Sequence, residues 1–138
     1  MTNNNYARQF RVNKKTIEYL RSNCTETTNR RRDKYKFEEL FQEMLELITE
    51  DIEQRKAKAE KHLKKEFPWL IEKDFEHYCL EIKSQLDKDD SIGVQFAIAE
   101  SIRDEIKRVF NKYGFKKRLR FKEFIEYAAL LRMRKYGE

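Results

Sequence analysis

Apolar residues recur at helical spacing over most of the chain. Phe37, Leu40, Phe41, Met44, Leu45 and Ile48 follow the i, i+3, i+4 rule of an amphipathic helix. Beyond Ile52 the stripe thins into EQRKAKAEKHLKKE, whose residues are strong helix formers with favourable (i, i+4) charge pairs, so this run is expected to continue as a charged connecting helix. Phe67-Pro68 interrupts it, because a residue before proline is pushed out of the helical region and proline suits a new first turn. The next helix carries Leu70, Ile71, Phe75, Tyr78, Cys79, Ile82 and Leu86, and KDDS breaks it, with Asp90 or Ser91 as the cap of the succeeding helix. That helix is expected from about Ile92 to Tyr113, aligned through Ile92, Phe96, Ala99, Ile102, Ile106, Val109 and Phe110 and ended by Gly114. A last helix begins at about Phe121 and carries Phe124, Ile125, Ala128, Leu131 and Tyr136.

Upstream of Phe37 the pattern is shorter-ranged. Asn3 to Phe10 reads as a short helix, RVN as a turn, and Asn13 as the N-cap of a second helix, KKTIEYLRSN, with Ile17 and Leu20 on its inner face. CTETTNRRRDKYKF reads as a polar loop or short hairpin, with Tyr35 and Phe37 folding back. The expected fold class is mainly α: an N-terminal (winged) helix-turn-helix module over 1–50, a charged connecting helix over 51–67, and a C-terminal three-helix bundle over 68–138 that oligomerises or offers a second basic surface.

Composition supports helices. Charged residues make up 41% of the 138, with only three Gly and one Pro, a balance that suits long solvated helices better than a turn-rich sheet fold. No apolar run approaches the roughly 20 residues needed to span a bilayer, and MTNNNYARQF lacks the apolar segment of a secretory signal. A cytoplasmic protein without membrane contact is expected. Cys24 and Cys79 are far apart and in no CxxC pair, which leaves Cys79 as a small core residue.

Charge is unevenly placed. Residues 1–36, 37–106 and 107–138 carry net +7, −9 and +8. Two basic ends suit polyanion contact at two places, or the docking of one end on the acidic middle of a second copy in a homo-oligomer.

The stretch YARQFRVNKKTIEYLRSN has the apolar spacing of a helix-turn-helix, with Tyr6, Phe10, Val12, Ile17 and Leu20 as contact positions and Ala7 as the small crossing residue. Arg11 stands where such turns often carry glycine. The segment resembles the winged helix-turn-helix of the MerR and excisionase type, a module that also opens the small terminase subunits of lambda-like phages. The resemblance implies a basic wing at TNRRRDKYKF and a packing helix at EELFQEMLELI. The spacing from Tyr6 to Leu20 and the +7 of residues 1–36 lead to the expectation of a non-enzymatic DNA-binding protein, a regulator or a phage or plasmid DNA-transaction factor, that prefers double-stranded DNA to RNA. Lys14, Lys15, Thr16 and Glu18 would face base edges or flanking phosphates, with Arg11 and Arg21 beside them. Arg30, Arg31, Arg32, Lys34 and Lys36 would ride the backbone or enter the minor groove.

A second basic patch, Lys116, Lys117, Arg118 and Arg120, is interleaved with Phe115, Leu119 and Phe121. Aromatics so placed either stack on unpaired bases or belong to the core of a helix start. Because the ending FKEFIEYAALLRMRKYGE is similar to the ends of small helical subunits of CRISPR effectors, a backbone-binding ribonucleoprotein subunit is an alternative, and a helical protein-binding adaptor is another. No HExxH, aspartate cluster or glycine-rich phosphate loop occurs, so no enzyme, metal, cofactor or small-molecule substrate is expected.

Overall fold

The protein is mainly helical. The structure, a computed structural model, describes residues 8–23, 30–63, 66–67, 69–86, 91–96 and 100–137, with the backbone alone described at 8–10, 30–38, 91–96 and 116. The order of elements is β1 (Arg8–Asn13), α1 (Lys14–Ser22), α2 (Arg30–Leu63), α3 (Leu70–Ser84), β2 (Ser91–Phe96), α4 (Glu100–Lys112) and α5 (Phe121–Tyr136), with a 3-10 turn at Phe115–Lys117 between the last two helices.

Strand β1 leads into α1 with no intervening loop. Asn13 ends the strand in extended conformation, and its side-chain oxygen accepts the Thr16 N–H at 2.8 Å, which satisfies one of the free donors of the first helical turn. Thr16, Ile17, Tyr19 and Leu20 form the buried face of α1. The capping role of Asn13 and the inward direction of Ile17 and Leu20 agree with the sequence reading.

The turn expected at RVN is instead the end of β1, and the Asn3 to Phe10 helix is replaced by strand from Arg8 onward; residues 3–7 lie outside the described residues. The partner is equally unexpected. β1 pairs antiparallel with β2, from Arg8 opposite Phe96 to Asn13 opposite Ser91, so SIGVQF is strand where a helix start was expected. Its residues alternate with a period of two through Ile92, Val94 and Phe96, and β-branched residues favour extended backbone once a partner strand supplies the hydrogen bonds. The helix expected from Ile92 is described only from Glu100.

The expected wing is also revised. Arg30 to Phe37 form the first turns of α2, which then runs 34 residues, about 50 Å, without a Gly or Pro. The favourable propensities of Arg, Lys and Glu let the helix extend upstream of its apolar stripe. Leu40, Phe41, Met44, Leu45, Ile48, Ile52 and Ala59 are buried along it.

Downstream, α3 and α5 lie where expected, but Leu86 falls beyond the end of α3 and Tyr136 ends α5 exposed. Tyr78, Cys79 and Ile82 are buried on α3, and burial pushes the Cys79 thiol up to about 11. Gly114 follows α4 at φ +79, a left-handed conformation in which a side chain is strained, and so the chain turns there. The 3-10 turn then carries Phe115 into the interior. Its ring lies 5.2 Å from Phe75, 5.4 Å from Phe124 and 6.1 Å from Phe110, and it has no exposed surface. Phe124, Ile125, Glu126, Tyr127, Ala128, Ala129 and Met133 of α5 are all buried, which makes this helix the axis of the fold.

One core includes residues from all three expected parts: Val12 to Ile48, Ile52 of the connector, and Tyr78 to Met133. Packing is thus continuous across the boundaries expected near residues 50 and 67. The start of the connector is tied to α3: Arg55 donates to both Asp74 (3.0 Å) and Glu81 (2.9 Å). These bonds hold the Glu81 carboxyl down at about 2, with His77 as a second contributor.

Unfolding by urea is expected to be a single cooperative transition, coincident by circular dichroism and by Trp69 fluorescence. Phe115→Ala is expected to lower stability by about 3–5 kcal/mol through the cavity it leaves among the rings of Phe75, Tyr78, Phe110 and Phe124. Two resolved transitions, with Phe115→Ala shifting only one, would contradict the single core.

Candidate nucleic-acid interface

The side chains expected to read DNA divide by face. On α1 and the end of β1, Arg11, Lys14, Lys15, Glu18 and Arg21 are exposed. Thr16 is not, at 3% exposure, because it belongs to the inner face with Ile17 and Leu20. It is removed from the set of groove-facing residues. Lys14, Glu18 and Arg21 share one helical face at i, i+4 and i+7. Arg11, Lys14 and Arg21 have no ion-pair partner among the described residues.

Helix α1 is braced by α5 at both ends. At its start, the Asn13 backbone N–H donates to Glu126 Oε2 at 2.6 Å. At its end, Arg132 Nη1 donates to the Tyr19 hydroxyl at 2.7 Å and to Asn23 Oδ1 at 3.0 Å, while its Nε donates to Glu43 of α2 at 2.9 Å. The Tyr136 hydroxyl also donates to Glu43, and together these bonds lower the Glu43 pKa. A nine-residue helix is too short to be stable by itself. Its position is set by its neighbours.

Glu126 is the least solvated charged group here, at 1% exposure. Lys122 Nζ lies 3.2 Å from Oε2, whereas Oε1 is buried without a hydrogen-bond partner. Burial raises its pKa, and the Asn13 N–H and Lys122 only partly oppose this. Sequence reasoning missed Glu126, Arg132 and Tyr19. The available signal was an acid inside the apolar run FIEYAALL.

Arg30, Arg31, Arg32, Lys34 and Lys36 fall within the first two turns of α2, on helical backbone rather than in the hairpin of a wing. In the second patch Lys117 and Arg120 are exposed, and Lys116 lies in the 3-10 turn. Arg118 is half-buried over the Phe75 ring, 5.6 Å from its centre, with Glu72 at 3.4 Å. Phe115 and Leu119 are buried, and Phe121 packs on Phe110 at 5.4 Å. The aromatics between these cations belong to the core and present little surface for stacking on bases.

Part of the acidic middle is paired within the same chain. Arg118 meets Glu72, Arg132 meets Glu43, and Arg55 meets Asp74 and Glu81. The chain matches no protein-family model, no curated protein and no solved structure. Among the described residues no helix is long and apolar enough to cross a membrane.

Glu126→Gln tests the brace. A carboxyl whose folded pKa is raised contributes stability below its unfolded pKa, near 4.5, and loses it as pH rises through the folded value. Glutamine keeps an acceptor for the Asn13 N–H and does not titrate. The stability of Glu126→Gln relative to the wild type is therefore expected to improve as pH rises from about 4 to 7. Urea midpoints at a series of pH values measure it, and a change in the opposite direction would rule out a desolvated carboxylate.

Proposed function

We propose that the protein is a non-enzymatic nucleic-acid-binding protein that prefers double-stranded DNA to RNA, in the class of regulators and phage or plasmid DNA-transaction factors. The supporting observation is the inequality of its cations. Arg55, Arg118 and Arg132 meet carboxylates of the same chain, whereas Arg11, Lys14 and Arg21 stand exposed with no such partner among the described residues. Cations left free in this way gain most from phosphates, since each neutralised phosphate releases condensed counterions. A helix also fits the roughly 12 Å width of a major groove, and α1 carries Lys14, Glu18 and Arg21 along one side.

The reading rests on α1 as a braced helix, not on a helix-turn-helix, because strand replaces the end of the expected first helix. The basic opening of α2 supports it further, since the helix dipole adds positive potential where Arg30 to Lys36 begin the helix. A single-strand reader is favoured less. The aromatics of the second patch that would stack on unpaired bases are committed to the core.

Fluorescence anisotropy with a labelled duplex at several salt concentrations gives the test. Binding is expected to weaken steeply with salt, and an Arg11→Ala, Lys14→Ala, Arg21→Ala triple variant should reduce the slope of log affinity against log salt by about 2 to 3. Neutralising Lys117 and Arg120 should change it less. Wild-type affinity and slope in the triple variant would sink the proposal.

A further inference from the structure

A cleft of about 430 Å³ opens between α2, α3 and the turn after α4. That volume lies within the roughly 300–1,000 Å³ of small-molecule sites. Its apolar lining comes from Ile52, Ala59, Ile71, Phe75 and Tyr78, and Tyr113 forms one wall.

The charges around it are unequal. Asp74 is occupied by Arg55, and Glu72 is drawn to Arg118, so the two acids of the lining already face arginines. The Tyr113 hydroxyl donates to Glu53. Lys56 is exposed and has no carboxylate within ion-pair distance among the described residues. Its ammonium lies 5.3 Å from the centre of the Tyr113 ring, and Arg118 lies over Phe75 on another wall. A cation poised on an aromatic wall above an apolar lining matches a ligand with a flat apolar body and one anionic group.

We propose that this cleft binds a small aromatic anion, with its ring against Ile71, Phe75 and Tyr113 and its acidic group on Lys56. Two chemistries share that description, an aromatic carboxylate and the phosphate of a mononucleotide. The site is independent of the α1 surface, so it stands whether or not the chain binds duplex DNA.

Anilinonaphthalene sulfonate serves as the probe, titrated into the intact protein. Trp69 is the chain's one tryptophan and lies two residues before Ile71, so its quenching by the bound probe reports occupancy next to the cleft. One saturable site is expected. Lys56→Glu should weaken it by about tenfold, as loss of one charge-assisted contact does, and Lys56→Arg should retain it. Thermal unfolding checks that both variants stay folded.

Indole acetate and adenosine monophosphate should each displace the probe, and inorganic phosphate and indole should not. Stronger displacement by the first assigns a carboxylate ligand, and by the second a phosphate. Absence of saturable binding, binding unchanged by Lys56→Glu, or displacement by inorganic phosphate as readily as by either aromatic acid would each overturn the proposal.

Discussion

A buried carboxylate joins four elements of this fold at one residue. Glu126 of α5 accepts the backbone N–H of Asn13 at 2.6 Å. The side chain of the same asparagine caps α1, and its backbone lies opposite Ser91 in the β1–β2 ladder. Placing a charge at 1% exposure is costly unless it is bonded, and here the cost is offset on one oxygen by Asn13 and Lys122 and left uncompensated on the other. That half-satisfied state explains the raised pKa. It also means that the position of α1 depends on a bond to a residue 113 places away rather than on its own nine-residue sequence.

The same helix makes the second attachment. Arg132 lies six residues after Glu126, about 9 Å along the axis, and reaches Tyr19 and Asn23 at the far end of α1. Its Nε donates to Glu43, so α2 is bound into the same network. For α5 to serve two ends it must be placed accurately. The chain does this just upstream, with a left-handed glycine at Gly114, Phe115 inserted among aromatic rings, and a Glu123 carboxylate that accepts the Arg120 N–H at 2.8 Å. Packing and capping thus fix the helix that carries these polar contacts.

Local features were legible and distant ones were not. Asn13 as a cap, Gly114 as a terminator and the stripes at Leu40 to Ile52 and Phe124 to Ala128 all act within a turn or two of themselves. The strand pair does not. β1 and β2 are separated by three helices, and Ile92 with Phe96 satisfies helical spacing as well as strand alternation, so only the partner decides. The basic run from Arg30 misled for a related reason: Arg and Lys read as loop when their polarity is weighed, yet they propagate a helix well once its downstream apolar face is packed. In the candidate interface, exposure of Lys14, Lys15, Glu18 and Arg21 followed from the helical period, whereas the burial of Thr16 required knowing how wide the inner face is.

Charge segregation along the chain takes on a different meaning once folded. The acidic middle and the basic end lie side by side in one molecule, where Glu43 meets Arg132 and Glu72 meets Arg118, so part of the +8 of residues 107–138 is spent against the −9 of residues 37–106. Within residues 1–36, Arg11, Lys14 and Arg21 pair with nothing among the described residues. Long-range attraction of a polyanion depends on this uncompensated remainder more than on net charge. Two arginines of one basic end are thus engaged by the acidic middle, whereas Lys14 and Arg21 of the other, unpaired among the described residues, stand on a helix held at both ends by α5. Rigid support and free charge coincide on α1, and that coincidence, rather than any motif, is the physical case for an interface there.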